Sequence, residues 1–400
     1  MGRCLLYDYQ VTCTKSLITN RFSDPDTAMS IIKKIKKIPL FIKIPSLLII
    51  LLIVVHLSIV VSFWPKDYFW VERKNATMPV WVKGNIDSGV FIIFNHGGPG
   101  SCGTLESIIE VNPGNGKMDH PSPLQILEKD FAMVYWDQRH SGMSKGSADP
   151  NDSRPEDFGN DLAVVIQELQ NRYTIKKIFL IGQSWGHFVA TSYMTYVENW
   201  KENQSNITGY IGYKGNHNHH TTYTVVRPKI IAHAQKEIQE KRDIAYWREV
   251  VNFYQSNTAL TNISNYQKHS GYIYSIMGAT ISLYDRVIAS VKASLFSPFN
   301  GLPLYPNIKK TQQAQKMFSW VISDSSISDI IHRINIPTLL IYGQNDLVAP
   351  VEVGQIIYDE IETAEQDKEL LVLNNSRHGA ENEDVLIFQK AIKSFIDRYR

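Results

Sequence analysis

Apolar positions along this chain fall into short continuous runs, separated by stretches in which they recur every three to four residues. The runs Val80–Val82, Val90–Asn95, Phe131–Trp136, Lys177–Ile181, Gly209–Tyr213, Thr338–Tyr342 and Leu370–Leu373 read as strands. Unbroken apolar runs rich in β-branched residues are what a strand buried on both faces needs. Between them, Leu162, Val165, Ile166 and Leu169 keep the helical period, and a helix is expected from about Val385 to Tyr399. Such alternation predicts an α/β fold, with a mostly parallel central sheet and helices on both faces.

The rhythm breaks between about Lys214 and Ser328, a region rich in Tyr, Asn, Ser and His. Helical runs are expected there near Pro228–Phe253 and Tyr272–Leu295, and strand–helix alternation resumes at Ile336. An insertion of this size predicts a helical cap over one edge of the sheet. The expected organisation is a core of residues 65–213, a cap of residues 214–328, and the rest of the core in residues 329–400.

Residues 44–64, "IPSLLIILLIVVHLSIVVSFW", carry no charged side chain and have the length that crosses hydrocarbon as a helix. Five lysines, Lys33, Lys34, Lys36, Lys37 and Lys43, crowd the upstream side, whereas Lys66, Asp67, Glu72 and Arg73 cancel downstream. The positive-inside rule then keeps residues 1–43 cytoplasmic and the remainder across the membrane. The reading is a single-pass anchor with the catalytic domain on the non-cytoplasmic side. A cleaved signal peptide is the competing reading, disfavoured by the length of the apolar run.

Composition narrows the class. A net charge of +2 with no basic stripe gives no case for nucleic acid. Cys4, Cys13 and Cys102 are too few and too scattered for a disulfide framework or a zinc site. His217, His219 and His220 lack a carboxylate or cysteine at ligand spacing and are read as a solvated cap loop. No cofactor or metal is expected.

The chemistry is written in three places. Phe179–Gly186, "FLIGQSWG", is a strand running into Gly-x-Ser-x-Gly and then a helical pattern, the signature of a nucleophile elbow that lifts the Ser184 hydroxyl above the sheet. A serine hydroxyl needs a base, and the base needs an orienting acid. Asp346 follows the strand Thr338–Tyr342, and His378 follows Leu370–Leu373, so both stand at strand carboxyl ends on the rim of Ser184. The third place is Phe94–Gly100, "FNHGGPG", directly after a buried strand. Attack on a carbonyl creates an oxyanion that needs preorganised N–H donors, and glycines let the backbone come close enough to supply them. The expected donors are Gly98 and Trp185, with His96 structural.

"HGGPG" at 96–100, "WDQRHSGMS" at 136–144 and "GQSWG" at 182–186 resemble the signatures of the proline iminopeptidases, capped serine peptidases of the α/β-hydrolase superfamily. The resemblance covers roughly residues 78–213 and 329–400. It implies Ser184 as nucleophile, Asp346 and His378 as its partners, Gly98 and Trp185 as the oxyanion hole, and Asp137 and Arg139 as organisers beneath the site. This chain departs at His140, where the family has glycine, and at Gln183. Family caps hold a free substrate amine with carboxylates, and Glu237, Glu240, Asp243 and Glu249 are the acids of the corresponding region. The resemblance therefore implies an aminopeptidase releasing N-terminal proline or another small residue from peptides. Two alternatives stay open: an esterase or amidase acting on a small acyl or lipid-derived substrate, and an inactive binding module. Serine at the elbow argues against the epoxide hydrolases and dehalogenases of this fold, which carry aspartate there.

Overall fold

The computed structural model describes residues 67–107, 110–112, 117–119, 122–146, 154–278, 327–381 and 383–400. Eight strands, β1 (Tyr68–Arg73), β2 (Ala76–Gly84), β3 (Val90–Asn95), β4 (Ala132–Trp136), β5 (Lys177–Gln183), β6 (Gly209–Tyr213), β7 (Thr338–Gly343) and β8 (Lys368–Leu373), lie in the order β1-β2-β4-β3-β5-β6-β7-β8. The pairs β1–β2 and β2–β4 are antiparallel, and every later pair along this order is parallel. A two-residue strand, Lys145–Gly146, also pairs with β2.

Side-chain alternation along the central strands builds two cores. Phe91 and Ile93 of β3 pack with Phe158, Leu162, Val165 and Leu169 of α1 (Pro155–Arg172). Ile92 and Phe94 face the other way, toward Phe388, Ile392, Phe395 and Ile396 of the helix Asp384–Tyr399. Each such buried side chain contributes about 2 kcal/mol by leaving water, which explains why these strands read as unbroken apolar runs. α2 (Trp185–Thr191) and α3 (Trp200–Ser205) follow β5.

Among the described residues, three helices stand in the region expected to form the cap: α4 (His219–Gln239), α5 (Ile244–Ser256) and α6 (Ile263–Met277). Together they bury a third core that includes Tyr223, Val226, Ile230, Trp247, Val250, Tyr254 and Tyr272. Pro228 does not open a helix as expected but sits inside α4, which starts nine residues earlier behind the Asn218 cap. The expected helix at Tyr272–Leu295 instead begins at Ile263, with Asn262 capping it, and its later part lies outside the described residues. α7 (Val351–Glu360) and the closing α8 (Asp384–Tyr399) complete the core.

The expected membrane anchor at residues 44–64 lies outside the described residues. Among the described residues no helix is long and apolar enough to cross a membrane. The longest, α4, carries Arg227, Lys229, Lys236 and Glu237 on its surface. The single-pass placement, and the membrane as a partner, are therefore corrected: no spanning helix among the described residues supports them.

Candidate active site

Ser184 sits between β5 and α2 with φ 51° and ψ −116°, in a region that side chains rarely occupy and that costs on the order of 1–3 kcal/mol. Hydrogen bonds on both sides hold it there. Its N–H donates to Tyr213 O (2.9 Å), and its carbonyl accepts from His187 N (3.0 Å). Gly186 makes the turn possible, since a Cβ there would stand 1.8 Å from Asn95 O. The contact brings the end of β3, and with it the glycine loop, against the serine.

Three residues distant in sequence meet at this point. His378 Nε2 lies 3.2 Å from Ser184 Oγ, and His378 Nδ1 lies 2.7 Å from Asp346 Oδ2. Asp346 and His378 are both buried. Asp346 is also saturated on its other oxygen, where Oδ1 accepts from Val348 N (2.7 Å) and Ala349 N (3.0 Å). With the carboxylate accepting from Nδ1–H, Nε2 is left as the acceptor facing the serine hydroxyl, the arrangement needed to withdraw its proton.

The glycine loop is clamped from below. His96 is buried, its Nε2 accepts from Gln138 N (3.1 Å), and its Nδ1–H is thereby directed at Gly97 O (2.6 Å). Gln138 Nε2 donates back to His96 O (2.9 Å). Burial keeps the His96 imidazole below its usual pKa, so it is a neutral strut. Asp137 accepts from Thr104 N (2.8 Å) and Met143 N (2.7 Å), and Arg139 pairs with Asp161 in full burial. His140 takes φ 58°, a left-handed conformation that glycine adopts without penalty. Gly98, with φ 132°, and Trp185 both border the cleft in front of Ser184.

One feature had no signal in the sequence. Lys214, directly after β6, is buried and donates from Nζ to His378 O (3.1 Å). Its neighbour Tyr213 accepts from Ala380 N at the phenol oxygen (2.5 Å). The end of β6 thus grips the His378 loop on both sides. A lone lysine after a strand looks like a surface residue until the fold is known.

The cleft's outer wall comes from α4 and α6. Tyr266, His269, Ser270, Ile273 and Tyr274 share one face of α6, and His219 and Thr222 project from α4. The histidine-rich stretch is therefore no solvated loop. His217 is buried, His219 lines the cleft, and only His220 is exposed, because α4 begins there and turns its first residues inward. Among the described residues no group of three metal-type ligands is assembled. None of the four cap acids borders the cleft. Glu237 and Glu240 pair with Arg242, Asp243 caps α5, and Glu249 accepts from Tyr272 Oη (3.1 Å).

A family model described as serine aminopeptidase, S33, matches residues 120–262. The probable aminopeptidase YbaC of Bacillus subtilis is 23% identical over 332 residues, covering 80% of this chain and 92% of its own. The carboxypeptidase sxa2 of Schizosaccharomyces pombe is 35% identical over 108 residues, 25% of this chain and 21% of its own. Among solved structures, VinJ superposes with a TM-score of 0.54 at 16% identity, covering 84% of this chain and 100% of that one. The chain has the α/β-hydrolase fold, and the family model that it matches is one of hydrolases. Its sheet order and the rim on which its candidate residues meet follow the general rule that open α/β sheets keep their sites at strand carboxyl ends.

Proposed function

We propose that this chain is a serine hydrolase that cleaves an amide or ester bond through an acyl-enzyme on Ser184. One observation carries the reading: the continuous hydrogen-bonded line from Asp346 through His378 to a serine held at positive φ. His378 takes the Ser184 proton as the hydroxyl attacks and returns it to the leaving group. Asp346 fixes the tautomer and stabilises the imidazolium. The Gly98 and Trp185 N–H groups receive the oxyanion, each worth about 3–4 kcal/mol of transition-state stabilisation. Helices α4–α6 act as the cap that closes over the substrate.

The aminopeptidase reading, release of an N-terminal proline or small residue, is supported by the name of the matching family model and of the Bacillus relative. A second reading, an esterase or amidase for uncharged acyl groups, is favoured by the cleft itself, which no cap acid borders among the described residues. The catalytic reading predicts that a fluorophosphonate labels the wild-type chain once and leaves Ser184→Ala unlabelled. A folded, unlabelled wild type would return the protein to the class of binding modules.

A further inference from the structure

Among the described residues, the side chains that line the cleft carry no charge at neutral pH. On α6 the residues at 266, 269, 270, 273 and 274 follow helical spacing, so a single face presents two phenols, an imidazole, a hydroxyl and an aliphatic chain to the substrate. His269 is anchored from behind, with Nδ1 2.7 Å from Tyr254 Oη and its ring packed edge-on against Tyr223. His219 stands edge-on to Tyr266 across the cleft. Burial pushes His219 down to about 4, and burial with the neighbouring His219 pushes His269 down to about 3, so both imidazoles stay neutral. Among the described residues the carboxylate felt at this wall is Asp346, which acts on Tyr274. Both of its oxygens are already engaged, by His378 on one and by two backbone N–H groups on the other.

An ammonium group entering such a cleft sheds its water and meets no opposite charge, a cost that neutral imidazoles and phenols do not offset. An uncharged acyl chain sheds water at no such cost and gains contact with Ile273, Leu260 and the tyrosine rings. We propose that the α6 face and His219 select substrates whose acyl group is uncharged next to the scissile carbonyl, and discriminate against a free α-ammonium. Here His219 and His269 are specificity-determining residues that give the acyl site uncharged ring surface. The inference rests on Ser184 being the acylated residue.

The test uses the full chain and the 4-nitrophenyl esters of L-alanine and N-acetyl-L-alanine. They are compared at pH 6, where the free amine is protonated. Fluorophosphonate labelling of Ser184 is scored first, so that failure of the nucleophile reading is seen separately. With labelling intact, kcat/KM is expected to favour the acetylated ester by at least about tenfold, roughly 1.4 kcal/mol of discrimination. Ser270→Asp, which sets a carboxylate on the same face, is expected to shift that ratio at least about tenfold toward the free amine, the same energy. Thr222→Asp serves as the second variant from α4. A labelled wild type that prefers the free amine overturns the proposal, as does a ratio unmoved by either carboxylate. A free-amine preference lost in Asp285→Asn or Asp324→Asn, the two acids of residues 279–326, overturns it as well.

Discussion

Lys214 Nζ donates to the main-chain carbonyl of His378 across 3.1 Å, from a position almost wholly withdrawn from water. The ammonium also lies 4.6 Å from the centre of the Tyr213 ring. This buried contact fastens the loop that carries His378 and so sets where its imidazole stands relative to Ser184. Lys214→Met keeps the stem and deletes the donor. It is expected to lower kcat about tenfold or more, since a hydrogen bond to a charged group is worth about 1.5–3 kcal/mol. Pre-steady-state acylation rates check this, and an unchanged rate in a folded variant removes Lys214 from the positioning machinery.

Asp346→Asn alters a carboxylate that accepts from His378 Nδ1 and two backbone N–H groups. The amide donates toward Nδ1, which turns the imidazole to the wrong tautomer. A fall of about 10,000-fold in kcat is expected, with KM little changed. Steady-state kinetics decide it; a loss below tenfold would mean that another group orients His378.

Gly186→Ala tests the elbow as a packing device. The added methyl would meet Asn95 O at 1.8 Å, and that oxygen belongs to backbone that cannot step aside. Destabilisation of about 3 kcal/mol or more is expected, at the upper end of overpacking effects. Urea unfolding provides the number.

Acid stability should follow the buried histidines. His187 is held at about 3 and His217 at about 4, in both cases chiefly by burial. His187 Nδ1 lies 2.5 Å from Tyr210 Oη, and His217 Nε2 lies 3.8 Å from Glu360. Below about pH 6.5 the unfolded chain binds a proton at each site that the folded chain refuses, so stability falls as pH falls. The loss runs from pH 6.5 to about 4 for His217 and to about 3 for His187, and then levels off. Each histidine contributes a slope of up to about 1.4 kcal/mol per pH unit in its window. His217→Gln is expected to flatten the profile by one proton between pH 6 and 4.5, read by urea midpoints across that range.

The strands and the sharp turn at Ser184 were legible in the sequence for a shared reason: each is set by local chemistry. β3, β4, β6 and β7 are buried along their whole length, so their apolar runs are continuous, and the elbow demands glycine at fixed offsets. β1 escaped notice because it is an outer strand of the sheet whose Glu72 and Arg73 break the apolar pattern. The start of α4 was hidden behind Thr221, Thr222, Val225 and Val226, β-branched residues that the helix tolerates for the sake of Val226 and Tyr223 in the cap core. The α6 face was illegible for another reason. Tyr, His and Ile at helical spacing read as ordinary core, and only the fold reveals that this stripe borders Ser184.

Arg377, the residue before His378, reaches from the core to donate to Met277 O at the carboxyl end of α6, while its guanidinium also meets Glu381. One side chain thus ties the wall of the cleft to the segment that carries His378. The position of α6 and the position of that imidazole are therefore not independent: a change that shifts one pulls on the other through a single guanidinium.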